Sequence, residues 1–307
     1  MSGGERPGSE SRLAKPRYRI ERGMRMPLGF PAGGLESGLG YRPSAGDIFV
    51  ASYPKCGTTW LQYIVWLLIR GRPIGAEESL AELFPHLEEV GAGAVAALHE
   101  PRLIKTHLGF GLTPYSAKAR YLVILRNPFD CAVSFFHHTE GFPRHYDFAG
   151  GSFEGFFECF IRGEVDFGGY FEHLLSWHEA RMRPNVHFFS YEAMRADPRA
   201  ALRQIAAALG EQATAAIAAT GGLEAVLGET SVEAMRRDQQ RWSSARPPGA
   251  TGFVRKGIVG DWQSLFTAEQ AGRLLAEFDR RLGGTGLAAL WPEVLAAARA
   301  FATPPTR

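Results

Sequence analysis

The chain is predicted to be α/β: a single domain in which a parallel sheet is covered by helices on both faces. Three observations carry that prediction. Short β-rich runs alternate with helical patterns along the chain, the order that builds a parallel sheet through crossover helices. Two of these runs, Tyr121-Leu122-Val123-Ile124-Leu125 and Val186-His187-Phe188-Phe189, are continuous and apolar, as expected of strands buried on both faces. The length of 307 residues and an apolar fraction of 45% supply an ample core for one α/β domain.

The elements follow in order. Residues 1–18 contain Gly and Pro and lack periodicity, so they read as a mostly disordered tail, with a basic interaction arm as the alternative. The first 25 residues hold seven Lys/Arg and three Asp/Glu. The domain is expected over 19–301. Ile48–Ser52 reads as the first core strand and 58–70 as the helix after it. Arg102–Thr106, Tyr121–Leu125 and Val186–Ser190 read as further strands, with helical patterns at 128–139 and 170–183. The stretch 197–210 is a helix with Asp197 as N-cap, Pro198 at its first position and Gly210 as its stop. Segment 236–252 is a loop candidate, and 302–307 reads as a frayed C-terminal tail. No internal repeat occurs.

Charge and cysteine usage exclude some classes. A formal charge of +2 without a long basic run argues against a general nucleic-acid binder. No apolar run approaches a membrane span or a signal-peptide core, so no membrane partner is expected. Cys56, Cys131 and Cys159 lack metal-ligand spacing. Their odd number and the missing signal favour a reducing, cytoplasmic location.

Four segments carry chemistry. Ser52-Tyr53-Pro54-Lys55-Cys56-Gly57-Thr58-Thr59-Trp60 joins the first core strand to its helix. Unpaired N–H groups and the positive end of a helix dipole converge at such a junction. Lys55 adds a full charge, and Thr58 and Thr59 add hydroxyls, so a phosphate-like group should bind. The triphosphate loop needs Gly-x-x-x-x-Gly-Lys-[Ser/Thr]; here Lys55 precedes Gly57 and no such string exists. Taken alone, the segment is equally compatible with a plain structural turn. Arg126 stands at the end of an apolar strand, with Ser134 about two turns into the next helix. An Arg so placed is most often a surface ion pair, but its planar fork also suits a phosphate. Arg255-Lys256-Gly257 reads as either a solvated turn or an anion-wrapping one. Lys105-Thr106-His107 directly follows a strand, and a His has the near-neutral pKa that a general base needs. His137 and His138 are competitors on the Ser134 helix.

Together these segments resemble the cytosolic sulfotransferases. Residues 53–60 match the family's 5′-phosphosulfate loop, Tyr-Pro-Lys-Ser-Gly-Thr-Thr-Trp, with Cys56 in place of Ser. Arg126-Asn127-Pro128-Phe129-Asp130 with Ser134 is similar to its 3′-phosphate site. Arg255-Lys256-Gly257-Ile258-Val259-Gly260-Asp261-Trp262 is similar to its C-terminal signature. Tyr191 and the Thr230-Ser231-Val232 segment resemble its adenine contacts, with Val232 in place of the usual aromatic and Trp60 left as the aromatic face. The resemblance spans residues 45–270. It implies a P-loop-like sulfotransferase fold that moves a sulfuryl group from 3′-phosphoadenosine 5′-phosphosulfate to a hydroxyl or amine of a small molecule, without a metal.

On that resemblance, His107 is the base, and Lys55 and Lys105 stabilise developing charge. Lys55, Cys56, Gly57, Thr58, Thr59, Trp60, Arg126, Ser134, Tyr191, Thr230, Arg255, Lys256 and Gly257 bind the donor. His86, Lys105, His107 and Phe142 line the acceptor side, which should be apolar and aromatic. Phenols, catecholamines, steroids and other alcohols all fit such a site. Cys56, at a helix N-terminus beside Lys55, is expected to be a redox-sensitive thiol that takes no part as a nucleophile. The family's dimer segment is degraded at Gln263–Gly272, where its Lys, Val and Glu are missing, so a homodimer is open. Two rivals remain: a nucleotide kinase, opposed by the absent Gly-Lys-[Ser/Thr], and a nucleotide-binding protein without catalysis, opposed by Lys55, Lys105 and His107.

Overall fold

A computed structural model describes residues 13–243 and 252–303. Its centre is a four-stranded parallel sheet of β3 (Asp47–Ala51), β4 (Arg102–Thr106), β5 (Arg120–Leu125) and β6 (Val186–Ser190), in the order β4-β3-β5-β6. An antiparallel hairpin of β1 (Arg19–Glu21) and β2 (Met24–Met26) precedes it, unforeseen in the sequence.

The continuous apolar runs are explained by two cores. Phe49, Ala51, Ile104, Tyr121 and Val123 enter one cluster, while Ile48, Val50, Leu103, Leu122 and Ile124 enter the other. Successive side chains of a strand face opposite sides, so Ile48–Ala51 of β3 and Tyr121–Leu125 of β5 are apolar at consecutive positions. The helix Thr58–Arg70 packs its Leu61, Ile64, Val65 and Leu68 into the second cluster. The helix Pro128–Glu140 sends Phe129, Ala132, Val133 and Phe136 into the first.

The expected elements are met with local shifts. Asp197 caps Pro198–Leu209, its Oδ1 accepting the Ala200 N–H at 2.9 Å, and Gly210 ends it at φ 105°. The helix expected at 170–183 ends at Glu179. Pro184 is the reason: it disfavours helical geometry at the residue before it and offers no N–H. The chain is already packed within the segment read as a tail. Pro16 is buried, the Arg17 N–H donates to the Tyr146 carbonyl at 2.7 Å, and Tyr18 sits edge-on against Tyr146. A helix runs over Pro292–Ala302, one residue into the expected C-terminal tail. Residues 1–12, 244–251 and 304–307, on which parts of those expectations fall, lie outside the described residues.

In this sheet β3 is central; the chain leaves it to β4 on one side and crosses to β5 on the other. Ligands of open α/β sheets sit beyond the carboxyl ends of strands at such a switch point. The Lys55 loop, His107, Arg126 and Tyr191 each follow the carboxyl end of one of the four strands, and Lys105 is the last but one residue of β4.

Candidate active site

The loop after β3 is shaped by two left-handed residues. Lys55 has φ 68° and Gly57 has φ 101°. At Gly57 a side chain is also barred by space, since a Cβ would meet Tyr191 Cδ2 at 2.7 Å and Ile124 Cδ1 at 3.1 Å. The backbone therefore lies close against Tyr191 and turns directly into the helix that starts at Thr58. The first N–H groups of that helix have no intrahelical partner and point at the cleft. Thr58 is held at its hydroxyl by Ser52 Oγ, 2.6 Å away. Lys55 Nζ lies 3.4 Å from His138 Nδ1 and 4.2 Å from the centre of the Phe253 ring.

Arg126, at the end of β5, is buried and fixes three segments. It donates to the Lys55 carbonyl at 3.2 Å and to the Ile258 carbonyl at 3.4 Å, and its guanidinium lies 4.4 Å over the Tyr191 ring. Its Nε has no hydrogen-bond partner among the described residues. A buried cation with an unused donor fits a phosphate ligand. Ser134, Tyr191 and Thr230 line the same cleft, with Trp60 edge-on to Tyr191 at 5.7 Å. Val232 is close to the turn at Gly257 (φ 66°), where a Cβ would meet Val232 Cγ2 at 2.5 Å.

The basic pair of the C-terminal signature is engaged. Arg255 pairs with Asp261, and Lys256 Nζ donates to Asp261 Oδ1 at 2.6 Å. Burial pushes the Asp261 carboxyl up, but its hydrogen bonds to Lys256 and Arg255 outweigh burial and hold it below the usual range. The whole segment is anchored by Asp130. Its Oδ2 accepts the Gly260 N–H at 2.9 Å and Asn127 Nδ2 at 3.0 Å; its Oδ1 accepts the Trp262 N–H at 3.1 Å.

His107 stands at the end of β4. Its Nδ1–H donates to the Ser52 carbonyl at 2.8 Å, which leaves the lone pair on Nε2. Burial, with Lys105 and His86 nearby, lowers its pKa well below the ordinary imidazole value, so the ring is neutral near pH 7. Lys105 is likewise lowered by burial. The Lys105 N–H donates to the Pro85 carbonyl at 2.9 Å, which draws the 84–86 turn against β4. The His86 ring then meets the His107 ring edge-on, 4.8 Å away.

One cleft of about 320 Å³ unites these groups, and every expected site residue except Cys56 lines it. The Cys56 side chain turns away into the core, 1% exposed, with its Sγ 3.9 Å from Cys131 Sγ. The expectation of a redox-sensitive thiol in the site is corrected: core packing claims that side chain, and the loop's backbone faces the cleft. The structure also adds lining groups that the sequence reading missed. Phe30, from the chain after the β1–β2 hairpin, packs edge-on to His86 at 5.2 Å. Phe167 and Asp166 come from the loop before Gly168, and His145 and Tyr146 from beyond Phe142. Asp166 is raised to about 7 by burial, which Tyr146, Lys105 and Lys55 only partly offset. No local pattern marks these residues; tertiary contact alone brings them in. Among the described residues no three His, Cys, Asp or Glu side chains converge as a metal site.

The fold and site thus define an α/β enzyme whose sheet presents a cationic nucleotide-phosphate cradle beside a buried histidine. The chain belongs to the sulfotransferase domain family, whose model matches residues 45–286. It is 34% identical over 247 residues to mouse sulfotransferase 6B1, covering 78% of each chain. It is 29% identical over 259 residues to human sulfotransferase 1C2, covering 78% of this chain and 84% of that one. Its structure is similar to that of mouse sulfotransferase SULT7A1 complexed with PAP, at TM-score 0.72 and 25% identity, over 94% of this chain and 98% of that one. Retinol dehydratase in complex with androsterone and PAP shares the fold at TM-score 0.71 and 22% identity, over 84% and 88% of the two chains. No helix among the described residues is long and apolar enough to cross a membrane.

Proposed function

We propose that this sulfotransferase takes 3′-phosphoadenosine 5′-phosphosulfate as donor, sulfates a hydroxyl or amine of a small aromatic or alicyclic acceptor, and works in the cytoplasm. The observation that carries the reading is His107: its Nδ1 proton is committed to the Ser52 carbonyl and its Nε2 lone pair is available in the cleft that also holds Lys55 and Lys105. The PAP complex of the mouse relative supports the donor class, as does the fit of Arg126 and the Gly57 turn to an anion.

The residues divide the work. The Lys55–Trp60 loop and the first turn of its helix bind the donor's 5′ side. Arg126, Ser134 and the 255–257 turn bind its 3′-phosphate, and Tyr191, Trp60 and Thr230 hold the base. His107 Nε2 removes the acceptor proton. Lys55 and Lys105 stabilise charge on the transferring group, where fixed cations in a dry site contribute several kcal/mol. Phe30, His86, Phe142 and Phe167 orient the acceptor and exclude water.

The test is turnover of this donor with a panel of phenols, alcohols and amines, for wild type and His107→Ala. The variant should lose about 10²–10⁴-fold in rate while binding 3′-phosphoadenosine 5′-phosphate as tightly as wild type. A variant that keeps more than about half of the wild-type rate would place the base elsewhere.

A further inference from the structure

Behind His107 lies a carboxylate to which the reaction gives no role. Glu88 belongs to the helix Leu87–Ala96 and is 0% exposed. An acid with no solvent contact is costly unless it is hydrogen-bonded. Here one oxygen, Oε1, accepts three donors: the Thr106 hydroxyl, the His107 N–H at 2.8 Å and the Leu108 N–H at 3.0 Å. All three belong to the turn that carries His107 out of β4. The other oxygen, Oε2, lies 3.1 Å from His86 Nε2, off the line that a hydrogen bond needs. His86 is the wall against which the His107 ring packs.

Glu88 therefore holds His107 by its main chain, and its second oxygen lies beside the ring against which His107 packs. Burial would push this carboxyl up, but His86 and the hydrogen bonds prevail and keep it ionised. The other charged or titratable groups around His107 are Lys105 from its own strand, His86 from the preceding turn and His173 from the helix Tyr170–Glu179. Glu88 is the negative group bonded to the His107 segment itself.

We propose that Glu88 is a positioning residue of the sulfuryl transfer: its carboxylate clamps the Thr106–Leu108 turn so that His107 Nε2 meets the acceptor proton. The proposal rests on His107 being the base. Its consequence is selective. A displaced base harms an acceptor that must lose a proton in the reaction. It hardly affects one that arrives ionised, because that acceptor needs no base. A loss of general stability, or a shift of Lys105, would harm both alike.

The experiment compares single-turnover rates on phenol and on 4-nitrophenol, which is ionised at mildly alkaline pH, for wild type, His107→Ala and Glu88→Gln. Gln keeps the shape and one acceptor oxygen but not the charge that strengthens the three bonds. Glu88→Gln should lose about 10–100-fold on phenol, the scale of an ångström's misplacement, and less than about threefold on 4-nitrophenol. Calorimetric binding of 3′-phosphoadenosine 5′-phosphate should be unchanged. His107→Ala should show the same selectivity more strongly. Equal losses on both phenols in Glu88→Gln, or none, with His107→Ala still selective, would overturn the role of Glu88 alone. Equal losses in His107→Ala would overturn the base itself. Should Glu88→Gln fail to fold, Glu88→Asp decides by the same ratio, since it keeps the charge but falls one methylene short of the turn.

Discussion

Replacing Asp130 by Asn should detach the proposed 3′-phosphate site from its support. Asp130 is 1% exposed, and it ties the 260–262 backbone to the start of the Pro128–Glu140 helix. Its two oxygens take three donors at 2.9–3.1 Å. Asn keeps one oxygen and turns an NH₂ group toward a backbone N–H. With the amide oxygen in the place of Oδ2, the bond to the Trp262 N–H is lost, worth about 1.5–3 kcal/mol, and that buried donor is left unmatched at about 1–3 kcal/mol more. The expected cost to stability is about 3–5 kcal/mol. The part of that cost expressed as loosening of the 255–262 segment appears in binding. Calorimetry should find 3′-phosphoadenosine 5′-phosphate weakened about tenfold or more, and its 3′-dephospho analogue weakened less than about twofold. Thermal unfolding of the same variant reports the remainder. A variant that is destabilised but binds both nucleotides as wild type does would refute the reasoning: Asp130 would then be a fold anchor with no bearing on the anion site.

Gly57→Ala should weaken 3′-phosphoadenosine 5′-phosphate at least about tenfold and cost about 1–3 kcal/mol in stability, because its φ of 101° and the Tyr191 ring 2.7 Å from the new Cβ leave no room; unchanged calorimetric binding would count against the close approach. Cys56→Ser should stay active, and native wild type should react slowly with a thiol reagent, since Cys56, Cys131 and Cys159 are all buried; rapid titration of one thiol in the folded protein would contradict this. Stability should fall as pH is lowered from neutrality. Burial holds His86, His107 and His173 below the ordinary imidazole range, His173 at about 3, so the unfolded chain takes up these protons near pH 6.5 and the folded chain does not. Asp166, raised to about 7, works in the opposite sense, because the folded state holds its proton below that value. Three groups against one leave a net loss, and a thermal midpoint that is flat or rising from about pH 7 to about pH 5 would refute the account.

Much of the candidate site was legible because its residues are contiguous and local. Lys55, Gly57 and Thr58 form one turn, and Arg126 and Tyr191 each end a strand that announces itself as an unbroken apolar run. What escaped notice was long-range. Asp130 reaches Gly260 across 130 residues, and Glu88 reaches His107 across 19; an isolated acid in a sequence carries no sign of its partner. The Phe30 contact with His86 likewise depends on where the β1–β2 hairpin docks. Cys56 was misread because helix-terminus electrostatics said what the thiol would be if it faced solvent, while the core decided which way it faced.

The two halves of the cleft are built from different material. The donor half stands on the ends of the four strands, so any change there disturbs the sheet. The acceptor half is assembled from excursions: the segment at Phe30, the turn at His86, the stretch from Phe142 to Tyr146 and the loop at Asp166–Phe167. Each is a separate detour of the chain, and of the four the turn at His86 is bonded to a strand, through the Lys105 N–H. On the proposed reading, acceptor choice is a property of these excursions, to be changed by loop grafting on the nucleotide side's platform.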